Sequence, residues 1–135
     1  AILPCFVGDL MQVPPVFSAL KVGGQAAYAL ARKGEAPELK ARPARVDAIE
    51  LLDMAPPHGA LLRIDCGKGV YVRTLCHDMG KALGCGAHMR FLLRTHSGSF
   101  GIEDSVTLEE WMDAADRTLL LQPMDAPLAL SLIHL

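Results

Sequence analysis

Two runs of aliphatic and branched residues, 44–54 and 60–66, constrain most strongly what this chain can fold into. Both have the length of a β-strand, and the residues between them, APPHG at 55–59, carry the proline and glycine of a turn. Strands joined by so short a connection pair antiparallel. The two runs therefore predict a strand pair, with a core supplied by Ile49, Leu51, Leu52, Leu61, Leu62 and Ile64.

Composition places the chain among globular proteins. It has 135 residues, of which 51% are hydrophobic and 21% charged, so it is one domain or a piece of one rather than a disordered chain. No apolar run is long enough to span a bilayer, and the first residues, AILPCFVGDL, lack the basic start of a signal peptide. Four cysteines are too few for a disulfide scaffold, which favours reduced thiols and a cytoplasmic location.

The net charge of −2 conceals an uneven distribution. Residues 1–45 have six basic and three acidic side chains, residues 46–100 have six and five, and residues 101–135 have one and seven. A polyanion would therefore meet the first hundred residues and avoid the remainder. Ordinary solvated surfaces also carry such charges, so the asymmetry does not by itself assign a partner.

Residues 14–43 have the character of an insertion that leaves a core. A proline pair fixes an extended start, Gly23–Gly24 indicates a turn, and alanines around Leu30 at helical spacing predict a short helix that stops at Gly34. Residues 35–43, EAPELKARP, have the composition of a charged loop. Long insertions of this kind are often binding loops.

The segment after the strand pair carries the first candidate chemistry. A tight turn, CGKG (66–69), leads into VYVR (70–73), whose strict alternation predicts a strand with Tyr71 and Arg73 on the same face. An aromatic ring beside a guanidinium suits a nucleotide, because the ring stacks on a base and the guanidinium pairs with phosphate or a carboxylate. The same two residues are also common on an ordinary surface.

The rest of the chain predicts further short elements. Residues 74–83 have the apolar spacing of a helix, and 87–95 alternate like another strand, in which Leu92 is the apolar member of an otherwise polar and basic face. SGSFG (97–101) indicates a turn. A capping box, T-x-x-E, predicts a last helix from about Leu108.

A zinc site is the alternative chemistry for this region. Cys76, His77, Cys85 and His88 supply four possible ligands. However, no C-x-x-C is present, and the adjacent Cys76 and His77 would point to different sides of a helix. We therefore expect small buried thiols, a surface histidine and no metal.

Four segments, taken together and in this order, resemble the tRNA pseudouridine synthase B (TruB) family in its bacterial form. QVPPVFSALKVGGQAAYALARKGE (12–35) is similar to the family's Q-V-P-P-x-[FY]-S-A-x-K block, and ARPARV (41–46) to the end of that insertion. CGKGVYVRTLCHDMGKALGCGAH (66–88) resembles the C-[ST]-K-G-T-Y-[IV]-R-[ST]-L block, and FLLRTHSGSF (91–100) resembles the L-x-R-x-x-x-G-x-F stretch. The resemblance implies an α+β fold with a mixed, mostly antiparallel sheet and flanking helices, present as a partial domain.

The resemblance also implies a reaction and its residues. The family isomerises a uridine of the tRNA T loop to pseudouridine after flipping the base out, with an Asp as the catalytic group and no cofactor or metal. Arg73 would pair with that Asp, Tyr71 would contact the flipped base and could aid proton transfer, Leu92 would line the pocket, and Lys68 would help bind substrate. Residues 14–43 would close over the RNA like a thumb, with these backbone contacts: Lys21, Arg32, Lys33, Lys40 and Arg42.

One part of the family pattern is absent. The catalytic Asp belongs to a G-x-L-D-P-x-A-x-G segment upstream of the Q-V-P-P block, and no such segment occurs here. We therefore expect residues 1–125 to be the C-terminal part of the catalytic domain, inactive alone, and 126–135 to begin a linker to a further RNA-binding domain. The expected partner of this monomer is the T arm of tRNA. The alternatives are a non-catalytic RNA-binding module and a structural domain with no RNA role.

Overall fold

The computed structural model describes residues 2–35, 37–55 and 59–126, and it confirms the α+β class. Clustering of the backbone divides the chain into two units, residues 1–90 and 91–135. The strands and helices, in chain order, are β1 (Gly8–Gln12), β2 (Lys21–Val22), β3 (Gln25–Ala26), α1 (Ala27–Arg32), β4 (Arg42–Ala55), β5 (Gly59–Cys66), α2 (Val72–Ala82), β6 (His96–Ser97), β7 (Phe100–Gly101) and α3 (Leu108–Asp113). Short 3-10 helices lie at Leu3–Phe6, Ile102–Asp104 and Arg117–Leu120.

The main sheet of the first unit is antiparallel, in the order β1-β4-β5. Its β4–β5 pair confirms the predicted strands, and each is slightly longer than the sequence indicated. Residues 56–58 of the predicted turn lie outside the described residues. The sequence did not indicate β1, because its residues GDLMQ start with two weak strand formers and only the ladder with β4 makes them a strand.

The core of this unit lies between one face of the sheet and α2. Val46, Leu75 and Met79 are buried there, and these half-buried side chains pack around them: Ile2, Leu3, Phe6, Leu10, Ile49, Leu62, Ile64, Val70 and Cys76. The predicted core was wrong at the far end of the strand pair, where Leu51, Leu52 and Leu61 are exposed. The 11 residues of α2 extend about 16 Å, which covers less than half of the 14-residue β4.

The insertion folds largely as the sequence predicts. Gly23 and Gly24, with φ of +57° and +86°, turn the chain between β2 and β3, because a left-handed backbone suits glycine. α1 follows at once and is stopped by Gly34, whose φ is +80°. Residue 36 lies outside the described residues. The predicted loop ends two residues early, because β4 already begins at Arg42.

The predictions for the later residues had mixed outcomes. The strand predicted over 87–95 is wrong, because these residues have no regular secondary structure and form no ladder. The turn predicted at 97–101 is confirmed as the short hairpin of β6 and β7. α3 is also confirmed, with its capping box of Thr107 and Glu110 intact. None of the helices within residues 2–35, 37–55 and 59–126 has the length and apolar character of a membrane span.

Candidate functional site

Tyr71 is the residue immediately before α2, so the strand predicted over 70–73 is wrong. Its backbone is extended, with φ −101° and ψ 101°, and it occupies the N-cap position. Val72, Leu75 and Met79 have the spacing of one helical face, so the alternation of VYVR was the start of a helical stripe. Arg73 is inside α2 and Tyr71 is the extended residue that precedes it, so the two residues do not share a strand face.

A buried amide from β1 holds the backbone of Tyr71. The Tyr71 N–H donates to Oε1 of Gln12 at 3.0 Å, and Nε2 of Gln12 donates to the Tyr71 carbonyl at 3.4 Å. Gln12 is only 3% exposed. Sequence reasoning did not single out this residue, because nothing local marks a polar side chain whose partners lie 59 positions away.

The start of the insertion is fastened to the first turn of α2. Arg73 donates from its guanidinium to the Phe17 carbonyl at 2.7 Å. Thr74 donates from its hydroxyl to the Val13 carbonyl at 3.3 Å. Arg73 thus lies at the junction of α2 and the insertion, and among the described residues it forms no ion pair with a carboxylate.

A cavity of about 430 Å³ opens beside Tyr71. Its lining residues are Arg42, Pro43, Gly69 and Tyr71. A half-buried phenol ring and an exposed guanidinium therefore border the same space. The cation that accompanies Tyr71 in this cavity is Arg42, which the sequence had assigned to the insertion, rather than Arg73.

Arg45, three positions after Arg42 in β4, differs from Arg42 in its charged partners. Arg45 donates to the carboxylate of Asp47 at 3.0 Å and to that of Asp9 at 3.2 Å, and these bonds, the one to Asp47 first, raise the pKa of its guanidinium. Arg42 has no such carboxylate partner among the described residues. The charge of the Arg42 guanidinium, at the cavity, is therefore available to an anion.

The other two predicted substrate residues lie elsewhere. Lys68 is exposed in the turn between β5 and α2, next to the cavity-lining Gly69, and does not line the cavity itself. Leu92 belongs to the second unit, in a segment without regular structure, and its side chain is exposed. Leu92 is not buried by the rest of its unit, and its expected role in lining the pocket stays a prediction.

The cations of the insertion are all exposed: Lys21, Arg32, Lys33, Lys40 and Arg42. Arg32 lies over the ring of Tyr28 at 5.5 Å from its centroid, on α1. Tyr28 is itself exposed. Sequence reasoning did not single out this tyrosine, although its place four residues before Arg32 on a short helix could have marked the pair.

The four possible zinc ligands are not grouped as a metal site would require. Within residues 2–35, 37–55 and 59–126, no group of three or more His, Cys, Asp or Glu side chains could hold a metal ion. The expectation of buried thiols fits Cys76, whose half-burial raises its pKa, but not Cys85, which is exposed. His77 is exposed, as expected.

Comparison with known proteins finds relatives of one family along nearly the whole chain. The model of the TruB family pseudouridylate synthase N-terminal domain matches residues 1–72, and that of the tRNA pseudouridylate synthase B C-terminal domain matches residues 73–129. The tRNA pseudouridine synthase B of Ruegeria pomeroyi is 49% identical over 128 residues, covering 92% of this chain and 42% of that protein. The one from Pelotomaculum thermopropionicum is 48% identical, covering 88% and 39%.

A solved structure also matches. A chain in the crystal structure of a Cbf5-Nop10-Gar1 complex superimposes with a TM-score of 0.66 and 31% identity, covering 91% of this chain and 35% of that one. The fold and its relatives thus define a pseudouridine-synthase-like protein. The chain belongs to the TruB family of pseudouridylate synthases. It spans about 40% of the length of the curated relatives cited above.

Proposed function

We propose that these residues form part of a tRNA pseudouridine synthase and receive a uridine flipped out of the T loop. The observation that carries the proposal is the cavity shared by Arg42 and Tyr71 in a chain of this family. The Tyr71 ring lies against the extruded base, and the Arg42 guanidinium binds a phosphate beside it. A base must leave its stack to be isomerised, and a concave surface that joins an aromatic ring to a cation is suited to receive it.

The reaction breaks the N1–C1′ bond of uridine and forms a C5–C1′ bond. N1 takes up a proton, and the hydrogen of C5 leaves as a proton to water. The Asp that the family uses comes from its upstream segment, and Arg73 pairs with it, because the Phe17 carbonyl occupies only one of the guanidinium's donors. Lys68, in the turn before α2, contacts the substrate. No cofactor or metal takes part.

The insertion supplies the RNA affinity in this proposal. Its exposed cations contact the phosphates of the T arm as residues 14–43 close over the RNA. Residues 1–125 act as the C-terminal part of the catalytic domain, and 126–135 lead to a further RNA-binding domain. The protein works as a monomer in the cytoplasm, where cysteines stay reduced.

The alternative is a non-catalytic RNA-binding module. It is favoured by one observation: among the described residues, Arg73 has a carbonyl partner and no carboxylate. Both candidates bind T-arm RNA in a salt-dependent manner, so binding alone does not separate them. Turnover does.

Tritium release tests the proposal. A tRNA transcript carrying uridine labelled at C5 with tritium is incubated with the full-length protein that contains these residues. We expect release of one tritium for each T-loop uridine converted, and no release from a transcript in which that uridine is replaced by cytidine. Salt-dependent RNA binding without release would support the module instead. The 135 residues alone should give no release.

A further inference from the structure

Gln12 occupies an unusual place for a polar side chain. It is the last residue of β1 and is 3% exposed. Burying an amide is unfavourable unless its hydrogen-bonding groups are satisfied. Here both ends of the amide are used, and both bind one residue, Tyr71, which lies 59 positions along the chain.

The chemistry of the amide matches what the start of α2 needs. An N-cap residue's own N–H has no partner within the helix, and no side-chain cap is present at Tyr71. The carboxamide oxygen of Gln12 accepts that N–H at 3.0 Å. Its NH₂ group reaches the Tyr71 carbonyl, which also accepts the first helical bond from Leu75 at 3.0 Å. Two bonds from one planar group fix both the position and the rotation of the Tyr71 backbone.

The backbone of Gln12 is fixed to the opposite wall of the cavity. In the β1–β4 ladder Gln12 is paired with Arg42, and its neighbour Met11 is paired with Pro43. Arg42 and Pro43 line one part of the cavity and Tyr71 lines another. Gln12 therefore connects the two walls, through its main chain on one side and its side chain on the other.

We infer that Gln12 is a positioning residue, whose amide sets the distance and orientation of the Tyr71 ring relative to Arg42. The inference rests on the proposed function in so far as this cavity receives the flipped uridine. Without the amide, the Tyr71 N–H at the start of α2 loses its partner and the Tyr71 carbonyl keeps only the bond from Leu75, so the ring is free to turn from the base. A displacement of this kind affects the reacting geometry more than it affects RNA binding, because the phosphate contacts lie on the insertion.

Fluorine NMR tests the geometry directly. The full-length protein is labelled with 3-fluorotyrosine, and the Tyr71 and Tyr28 signals are assigned as those that disappear in Tyr71→Phe and Tyr28→Phe. Gln12→Met keeps the side-chain volume and removes both hydrogen bonds. We expect it to shift or broaden the Tyr71 signal and to leave the Tyr28 signal in place.

Kinetics provides the second measurement. In the tritium-release assay, Gln12→Met should lower kcat by about tenfold to a hundredfold and change the KM for the transcript by less than about twofold. Arg63→Ala is the control, because Arg63 pairs with Glu50 on the exposed strand pair and does not line the cavity. Val46→Ala, which leaves a cavity in the core, is the control for a loss of kcat that comes from reduced stability alone.

The outcomes separate the two proposals. An unchanged Tyr71 signal in folded Gln12→Met, or a kcat loss no larger than that of Val46→Ala, would overturn the role of Gln12. A shifted Tyr71 signal with no turnover in the unsubstituted protein would support the positioning role and refute the proposed function. If Gln12→Met does not fold, Gln12→Asn makes the same test, since its shorter amide cannot reach both atoms of Tyr71.

Discussion

Arg73 connects two parts of the molecule through a single side chain. It lies in the first turn of α2, and one of its N–H groups donates to the Phe17 carbonyl of the insertion at 2.7 Å. A guanidinium has five donors in a fixed plane, so it can hold a carbonyl on one edge and a carboxylate on another. The proposed pairing with the catalytic Asp would therefore tie the acid to the start of the insertion.

Removal of Arg73 should affect chemistry strongly. We expect Arg73→Ala to lower kcat in the full-length protein by about a hundredfold or more, because the catalytic carboxylate loses its partner. Arg73→Lys should recover only part of this, since an ammonium cannot span two partners as a planar fork does. Steady-state tritium release measures both. Arg63→Ala is the control, as Arg63 pairs with Glu50 on the exposed strand pair at 2.9 Å; an equal loss there would contradict the role of Arg73.

At the scale of elements, α2 depends on a close approach at its C-terminal end. The Gly80 carbonyl accepts N–H groups of Cys85 at 3.3 Å and Gly86 at 3.0 Å, which folds the chain back against the helix. A Cβ at position 80 would overlap backbone atoms of Gly86 and Ala87. The return of the chain after α2 is thus possible because residue 80 has no side chain.

Gly80→Ala should therefore destabilise the protein. Alanine gains about 1 kcal/mol of helix propensity over glycine, but overlap with backbone atoms, which cannot move aside, costs about 1–3 kcal/mol and more where the overlap is severe. We expect a net loss in the free energy of unfolding, measured by urea denaturation. His77→Ala, at an exposed position of the same helix, should stay within about 0.5 kcal/mol of the parent protein. A Gly80→Ala protein as stable as its parent would show that the 84–87 segment is free to move away.

The capping box of α3 should make the stability of the protein depend on pH. The Thr107 N–H donates to the Glu110 carboxylate at 2.7 Å, and the Glu110 N–H donates to the Thr107 hydroxyl at 3.2 Å. The bond from the Thr107 backbone, then that from its hydroxyl, lowers the pKa of Glu110. A carboxyl group whose pKa is lowered by folding stabilises the folded state at pH values above its ordinary pKa. This contribution disappears as the pH falls through the lowered pKa.

Glu110→Gln should lower Tm at neutral pH, and the difference from the parent should shrink as the pH falls below the lowered pKa. Thermal unfolding followed by circular dichroism between neutral and acid pH measures it. Glu109→Gln is the matched control, because Glu109 lies in the same first turn and has no hydrogen-bond partner among the described residues. A Tm difference that is the same at every pH would contradict the charged capping box.

At the scale of the whole molecule, charge is separated along the chain. Basic residues exceed acidic ones by four in residues 1–100, and acidic residues exceed basic ones by six in 101–135. The exposed cations of the insertion are part of the basic segment. RNA affinity should therefore depend on a subset of the basic residues rather than on net charge, which is −2.

Paired charge removals test this distribution. Lys33→Gln combined with Lys40→Gln should weaken binding of a T-arm hairpin and reduce the slope of log affinity against log salt by about 0.7–0.9 for each phosphate that is no longer neutralised. Arg63→Gln combined with Lys81→Gln removes the same charge outside the insertion and should leave the slope unchanged. Fluorescence anisotropy at several salt concentrations measures both. Equal slopes for the two double variants would refute a specific role for the insertion.

Much of the fold was predictable because its signals are local. The capping box of α3, the Gly23–Gly24 turn and the β4–β5 pair each depend on residues a few positions apart, and all three are present. β1 was not predictable in this way. Its weak strand formers become a strand only through the ladder with β4, thirty or more positions later.

The sequence by itself determined the α+β class, the short elements of the insertion and, through its four motifs, the family. Only the tertiary structure decided what surrounds Tyr71: a helix N-terminus in place of a strand, Arg42 in place of Arg73 across the cavity, and Gln12 behind it. The reason is physical. Local patterns encode hydrogen bonds and apolar spacing within a few residues, whereas the hydrogen bonds between Gln12 and Tyr71 join residues 59 positions apart and exist only once the sheet and α2 have packed.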